Sequence, residues 1–164
     1  MPSAHDPARE PEEEMSHFPE NLCGKVVVMA DATVRRLGPG DEDIVRKLAD
    51  REPQVGLLAD QATIFLAAFQ GSEPIGFVFG HELSRRHGAP SILFIYELEV
   101  NAACRRQGIA TRLMTELERI ARSRGITEGF VLTEPDNAAA NTLYESLGGE
   151  RSDKVLWDYR YVDS

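Results

Sequence analysis

The stretch that most restricts the fold is Arg105-Arg106-Gln107-Gly108-Ile109-Ala110-Thr111, which joins a β-rich run to the longest amphipathic pattern in the chain. Upstream, Ser91 to Val100 alternates as a strand. Strict alternation sets Phe94, Tyr96, Leu98 and Val100 on one face and Ile95, Glu97 and Glu99 on the other. Downstream, Ile109, Leu113, Leu117, Ile120 and Ala121 recur at helical spacing from about Gly108 to Arg124, and Gly125 is placed to end the helix. A strand that enters a helix through small residues leaves the first N–H groups of that helix pointing outward, with the positive end of the dipole behind them. The junction is an anion site by construction; on this stretch alone, the other reading is that Arg105 and Arg106 are a solvated turn and Gly108 only permits a tight entry to the helix. It is neither a GxxxxGK[ST] loop nor a GxGxxG turn.

Strand-like and helix-like segments alternate around this junction. Thr33 to Leu37 reads as a strand, with Val26 to Met29 as a shorter one before it. Gly38-Pro39-Gly40 breaks the run, and Asp41 is placed to cap a helix whose Ile44, Val45 and Leu48 share a face. Thr63 to Phe69 and Ile75 to Phe79 form a hairpin about Gln70 to Pro74. After the long helix come a short strand, Phe130 to Leu132, and a helix from about Asn137 with Ala140, Leu143 and Leu147 on one face, stopped by Gly148. Lys154 to Val162 is the last expected strand. The order implies an α/β chain with a mixed central sheet flanked by helices.

Composition bounds the rest. A length of 164 residues suits one domain. The net charge of −9 argues against a nucleic-acid partner. More than half of it lies in residues 1–20, where six acids face Arg9 alone among four prolines and few apolar residues. We expect residues 1–24 to form a disordered acidic tail and residues 25–164 to form the domain. Cys23 and Cys104 lack CxxC spacing and the four histidines form no HxxxH pair, so no metal is expected. With no secretory signal pattern and no long apolar run, neither a membrane partner nor export is expected, and the location is expected to be cytoplasmic.

A second pattern narrows the function. Asn137-x-x-Ala140-x-x-Leu143-Tyr144-x-x-Leu147-Gly148 follows the Arg105–Thr111 loop by one strand. In that order and on those elements, the two resemble the Gcn5-related N-acetyltransferase superfamily, whose [QR]-x-x-G-x-[GA] loop is matched by Arg105, Gly108 and Ala110. The resemblance covers roughly residues 33 to 162 and implies that acetyl-CoA is the co-substrate. It implies that backbone N–H groups across Arg106, Gln107, Gly108, Ile109, Ala110 and Thr111 hold the pyrophosphate beside Arg105. The pantetheine arm would run along Leu98, Glu99 and Val100, with Asn137 bonded to it, and Tyr144 would protonate the leaving thiolate.

An amine is mostly protonated at neutral pH, so a base is needed, and Glu97 is the candidate. Ile95-Tyr96-Glu97-Leu98-Glu99-Val100 running into Arg105–Thr111, with Arg36-Leu37-Gly38-Pro39 upstream, looks like the aminoglycoside 3-N-acetyltransferases, with glutamate where that family has aspartate. The implied acceptor is a polycationic small-molecule amine met by Glu97, Glu99, Glu134, Asp136 and Asp158. Trp157 and Tyr159 are expected to pack on the sheet, with stacking on a sugar as the other reading. The segment from Arg51 to Ala62 is shorter than in that family, which favours a smaller amine. Other acceptors, a polyamine or peptide among them, stay open, as does an acyl-CoA-binding or protein-interaction module without turnover. The related enzymes suggest a homodimer, with Val26 to Met29 at its interface.

Overall fold

The computed structural model describes residues 32–157 and residue 159. The acidic tail, the Val26 to Met29 run and Asp158 lie outside the described residues. The chain divides into two compact units, Met1–Phe130 and Val131–Ser164.

Five strands form one sheet in the order β1 (Ala32–Arg36), β2 (Thr63–Gln70), β3 (Glu73–Leu83), β4 (Ile92–Val100) and β5 (Gly129–Val131). The first three pairings are antiparallel. β5 advances in the same direction as β4: Glu128 O accepts from Leu93 N–H at 3.0 Å, and further along both strands Phe94 stacks on Phe130. The sheet is therefore mixed, as the alternation of elements implies.

β2 is buried at every position from Thr63 to Phe69 because both faces of the sheet are covered. On one face lies α2 (Ile109–Ser123), whose buried residues are the stripe read from the sequence, packed with Ile64, Leu66, Ala68, Ile75, Val78 and Leu93. On the other, α1 (Glu42–Leu48) and a 3₁₀ turn at Val55–Leu58 cover Phe65, Ala67, Phe69, Phe77 and Phe79. The hairpin turn is tighter than expected: Gly71 and Ser72 alone make it, with Gly71 at φ +59°, and Glu73 and Pro74 already belong to β3.

The second unit holds α3 (Ala138–Ser146), where Asn137 caps the helix by accepting from Ala140 N–H at 3.1 Å. Ala140, Leu143 and Leu147 are only half-buried. The expected last strand is absent over its described part, Lys154 to Trp157, which has no regular structure. Trp157 and Tyr159 are 75% and 73% exposed, and neither lies in a strand. An apolar, β-rich run forms a strand only where an edge pairs with it, and composition does not supply that edge.

Candidate active site

β4 does not alternate strictly. Phe79 faces Glu97 across the β3–β4 ladder, but Gly80 faces Ile95, so Tyr96 is an extra residue opposite β3. This β-bulge corrects the expected facing. Ile95, Leu98 and Val100 pack against the α2 core. Glu97 and Glu99, in register with Phe79 and Phe77, lie on the α1 face, and the Tyr96 ring joins them by stacking on Phe79 at 5.1 Å. Gly80 permits the bulge, because a Cβ there would stand 2.6 Å from Phe94 O.

The α1 face opens beyond the phenylalanine cluster. Phe79, His81, Phe94 and Tyr96 form a shelf of ring contacts, with Tyr96 59% exposed beside the two glutamates. His81 and Tyr96 have no role in the sequence reading, although Phe77-x-Phe79-x-His81 continues a strand alternation that marks His81 for this face.

At its end β4 turns into the loop. Asn101, 3% exposed, donates its N–H to Ile75 O at 2.9 Å and accepts from Ala103 N–H at 3.0 Å through Oδ1. Its Nδ2 is buried without an acceptor among the described residues. Arg105 Nε donates to Val100 O at 3.0 Å, which pins the loop to the strand. Gln107 donates Nε2 to Ala103 O at 3.3 Å. Its Oε1 is buried with no donor among the described residues. Cys104 is fully buried, which removes it as a nucleophile.

Two residues of the loop, Arg106 at φ +58° and Gly108 at φ +75°, are left-handed. Gly108 takes that conformation at no steric cost, whereas Arg106 takes it against the preference of a side chain. Gly108 is the N-cap of α2 and offers no side chain to the first turn, and its carbonyl takes the first helical bond from Arg112 N–H at 3.0 Å. The N–H groups of Ile109, Ala110 and Thr111 have no carbonyl within the helix to reach. No acid stands in that turn. An orphaned buried donor, open helical N–H groups and two arginines suit an anionic diphosphate.

Glu97, Leu98, Glu99, Val100 and the residues from Arg105 to Thr111 are thus brought onto one strand and its loop. β5 accompanies only the first residues of β4, and among the described residues no strand lies on the outer edge of Glu97 to Val100. The other predicted site residues belong to the second unit. Tyr144 is half-buried on α3, and burial pushes its phenol above the usual range, so it stays protonated at neutral pH. Asn137 uses its side-chain oxygen as a cap, accepting from Ala140 N–H, so that bond does not engage its Nδ2. Glu134 and Asp136 are exposed in the turn before α3.

The acetyltransferase (GNAT) family profile matches residues 31–149, across both units. The chain belongs to this family. L-2,4-diaminobutyric acid acetyltransferase of Streptomyces coelicolor is 32% identical over 83 residues, 50% of this chain and 47% of its own length. Aminoglycoside N(6')-acetyltransferase type 1 of Salmonella typhimurium is 27% identical over 126 residues, 75% of this chain and 84% of its own. The chain spans less than half the length of the first curated relatives it matches. Among solved structures, aminoglycoside acetyltransferase HMB0005 from an uncultured soil metagenomic sample superposes with a TM-score of 0.70 at 26% identity, covering 80% of this chain and 99% of that one. A second, meta-AAC0020 from the same kind of source in complex with sisomicin, superposes with a TM-score of 0.73 at 19% identity over 82% and 98% of the two chains. These likenesses bear out the GNAT fold. The aminoglycoside relatives whose names give a position are named for the 6' position, not the 3-amino position expected from the sequence.

Proposed function

We propose that the chain transfers acetyl from acetyl-CoA directly to a primary amine of a small polyamino molecule. The observation that carries this reading is the open first turn of α2, free of acids and placed at the end of a bulged strand whose glutamates share a face. In this reading the diphosphate sits on the N–H groups of Arg106 to Thr111 beside Arg105. The pantetheine amides run along Leu98 to Val100, with Asn137 Nδ2 as a further donor.

Glu97 takes a proton from the bound ammonium, directly or through one water. The amine nitrogen then forms a bond to the thioester carbonyl carbon, the carbon–sulfur bond breaks, and the thiolate takes the hydrogen of Tyr144. The second proton, shed by the nitrogen as it becomes an amide, is returned to the Tyr144 oxygen, so the one proton released overall is the one Glu97 passes to solvent. The raised pKa of Tyr144 keeps that hydrogen in place until the sulfur needs it. Glu99, Glu134, Asp136 and Asp158 supply further negative charge for a polycation.

The names of the relatives support two acceptor types, a diamino acid and an aminoglycoside. An aminoglycoside is our leading acceptor, and modification of the antibiotic by acetylation would confer resistance. The 3-amino group rests on the resemblance of Ile95–Thr111 and of Arg36–Pro39 alone, while the relatives' names favour the 6'-amino group. A homodimer in the cytoplasm completes the reading.

A thiol-release assay with acetyl-CoA, run against aminoglycosides, diaminobutyrate, polyamines and short peptides, tests the proposal, and the NMR spectrum of the product assigns the acetylated nitrogen. Turnover is expected, with Glu97→Gln lowering kcat about 100-fold at nearly unchanged acetyl-CoA affinity. Binding of acetyl-CoA without turnover of any amine supports the non-catalytic module instead. Failure to bind acetyl-CoA ends both readings.

A further inference from the structure

His81 lies on β3 two residues beyond Phe79, on the face that carries Glu97 and Glu99. Across the β2–β3 ladder it is in register with Thr63, which is 2% exposed. The Thr63 hydroxyl lies 2.7 Å from Asp60 Oδ2 and 3.1 Å from His81 Nδ1. One hydroxyl carries one hydrogen, so its direction fixes the chain of bonds.

Asp60 decides that direction. Its carboxyl is held below the usual range by the Thr63 hydroxyl first and then by Ala62 N–H, so it is a carboxylate that only accepts. Thr63 therefore donates to Asp60, and its oxygen accepts from His81 Nδ1–H. A neutral imidazole with its proton on Nδ1 has an acceptor at Nε2. Nδ1 is directed to β2, and the His81 ring meets the Tyr96 ring of β4 in a T-shaped contact with centroids 6.0 Å apart. Among the described residues Nε2 has no hydrogen-bond partner.

We infer that the Asp60–Thr63–His81 relay makes His81 an acceptor-binding residue, whose Nε2 takes a hydrogen bond from a second amine or hydroxyl of the molecule being acetylated. Asp60 and Thr63 are positioning residues that act through the ring. The inference rests on the transferase reading and narrows its substrate class to amines with a neighbouring N–H or O–H and an apolar face for Tyr96. Simple monoamines lack the feature that His81 reads.

The spectrum of the imidazole tests the relay without reference to activity. Long-range nitrogen–proton correlation NMR is expected to show the Nδ1–H tautomer of His81 in the free protein, and Thr63→Val to release it. An Nε2–H tautomer in the wild type overturns the relay.

Kinetics with diaminopropane, an aminoglycoside and propylamine test the contact. His81→Asn keeps a group at Nδ1 and none at Nε2, and is expected to raise KM about 5- to 10-fold for the first two, with kcat within about twofold. His81→Gln places an amide near the Nε2 position and is expected to recover most of that affinity. Propylamine should have the same KM in all three proteins. Equal losses in both variants, or a matching loss for propylamine, refute the acceptor contact and leave the transferase reading intact. No turnover of either polyamino probe by the wild type refutes the acceptor role, and no turnover across the whole thiol-release panel refutes the transferase reading as well.

Discussion

α1 and α2 each follow a strand through a glycine-bearing turn, and their first turns are finished in opposite ways. At α1 the chain supplies its own acids. Glu42 and Asp43 occupy the first turn, Asp41 precedes them, and Glu42 Oε1 accepts from Gly40 N–H at 3.1 Å. At α2 there is no acid in the first turn and two arginines precede it. The left-handed residue differs too: α1 is entered through Gly40 at φ +102°, α2 through Arg106 at φ +58° followed by Gly108. A helix that serves only the fold neutralises its positive end with its own side chains. α2 leaves that end open, at a backbone cost on Arg106, and in the proposed reading that end has a binding task.

The comparison breaks most visibly if α2 is made to resemble α1. Thr111→Asp puts a carboxylate on an exposed position of the first turn, where it should stabilise the isolated helix dipole by roughly 0.3–1 kcal/mol. The same charge beside a bound diphosphate is repulsive, since unit charges 4 Å apart interact by about 4 kcal/mol at the effective dielectric of a protein surface. We expect CoA affinity to fall about 100-fold by calorimetry while the protein melts at the same temperature or slightly higher. Unchanged CoA affinity would place the diphosphate elsewhere.

A smaller effect is expected from removing the backbone cost. Arg106→Gly relieves the left-handed arginine and should stabilise the fold by up to about 1 kcal/mol, partly offset by the freedom glycine gains in the unfolded chain. It also removes a cation from the anion site, so CoA should bind several-fold more weakly. Denaturant melts and calorimetry read the two together. A variant that is both less stable and tighter for CoA would contradict the reading of Arg106 as a residue strained for binding.

How far the sequence discloses this depends on how local each signal is. The α2 stripe is legible because five apolar residues at helical spacing allow one buried face. The proposed anion site rests on the same pattern, since it follows from where that helix begins. Strict alternation misassigns β4, because the bulge at Tyr96 is decided by contact between strands. The local sign of it is a glycine inside β3, Gly80, whose missing Cβ admits Phe94 O. Asp41 is a similar case: as a cap residue it is expected to bond into α1, yet it makes no such side-chain bond. Arg35, six residues back on β1, takes its carboxylate instead, with Gly38 N–H. His81 shows the limit, because its partners Thr63 and Asp60 are set by the β2–β3 register.

The Asp41 arrangement yields the smallest prediction and closes the comparison. Arg35 meets Asp41 through both guanidinium nitrogens, at 2.9 and 2.7 Å, while its charge also lies 4.9 Å over the Phe69 ring. The Arg35 bond is the first cause of an Asp41 carboxyl held below the usual range, and Gly38 N–H adds to it. A depressed carboxyl contributes stability that is present above its unfolded pKa of about 3.9 and is lost as pH falls through the lower folded value. The arginine side chain is about half exposed, so screening limits the pair to roughly 0.5–1 kcal/mol. Asp41→Asn should therefore lower the melting temperature by about 2–4 °C at pH 7, and the gap from wild type should shrink as pH is lowered from about 5 to below 4. Its CoA affinity should not change, because the start of α1 holds the fold and binds nothing. A gap that persisted at acid pH would mean the carboxamide costs packing, not charge, and a loss of CoA affinity would mean that the two helix starts do not divide their tasks as the first turns imply.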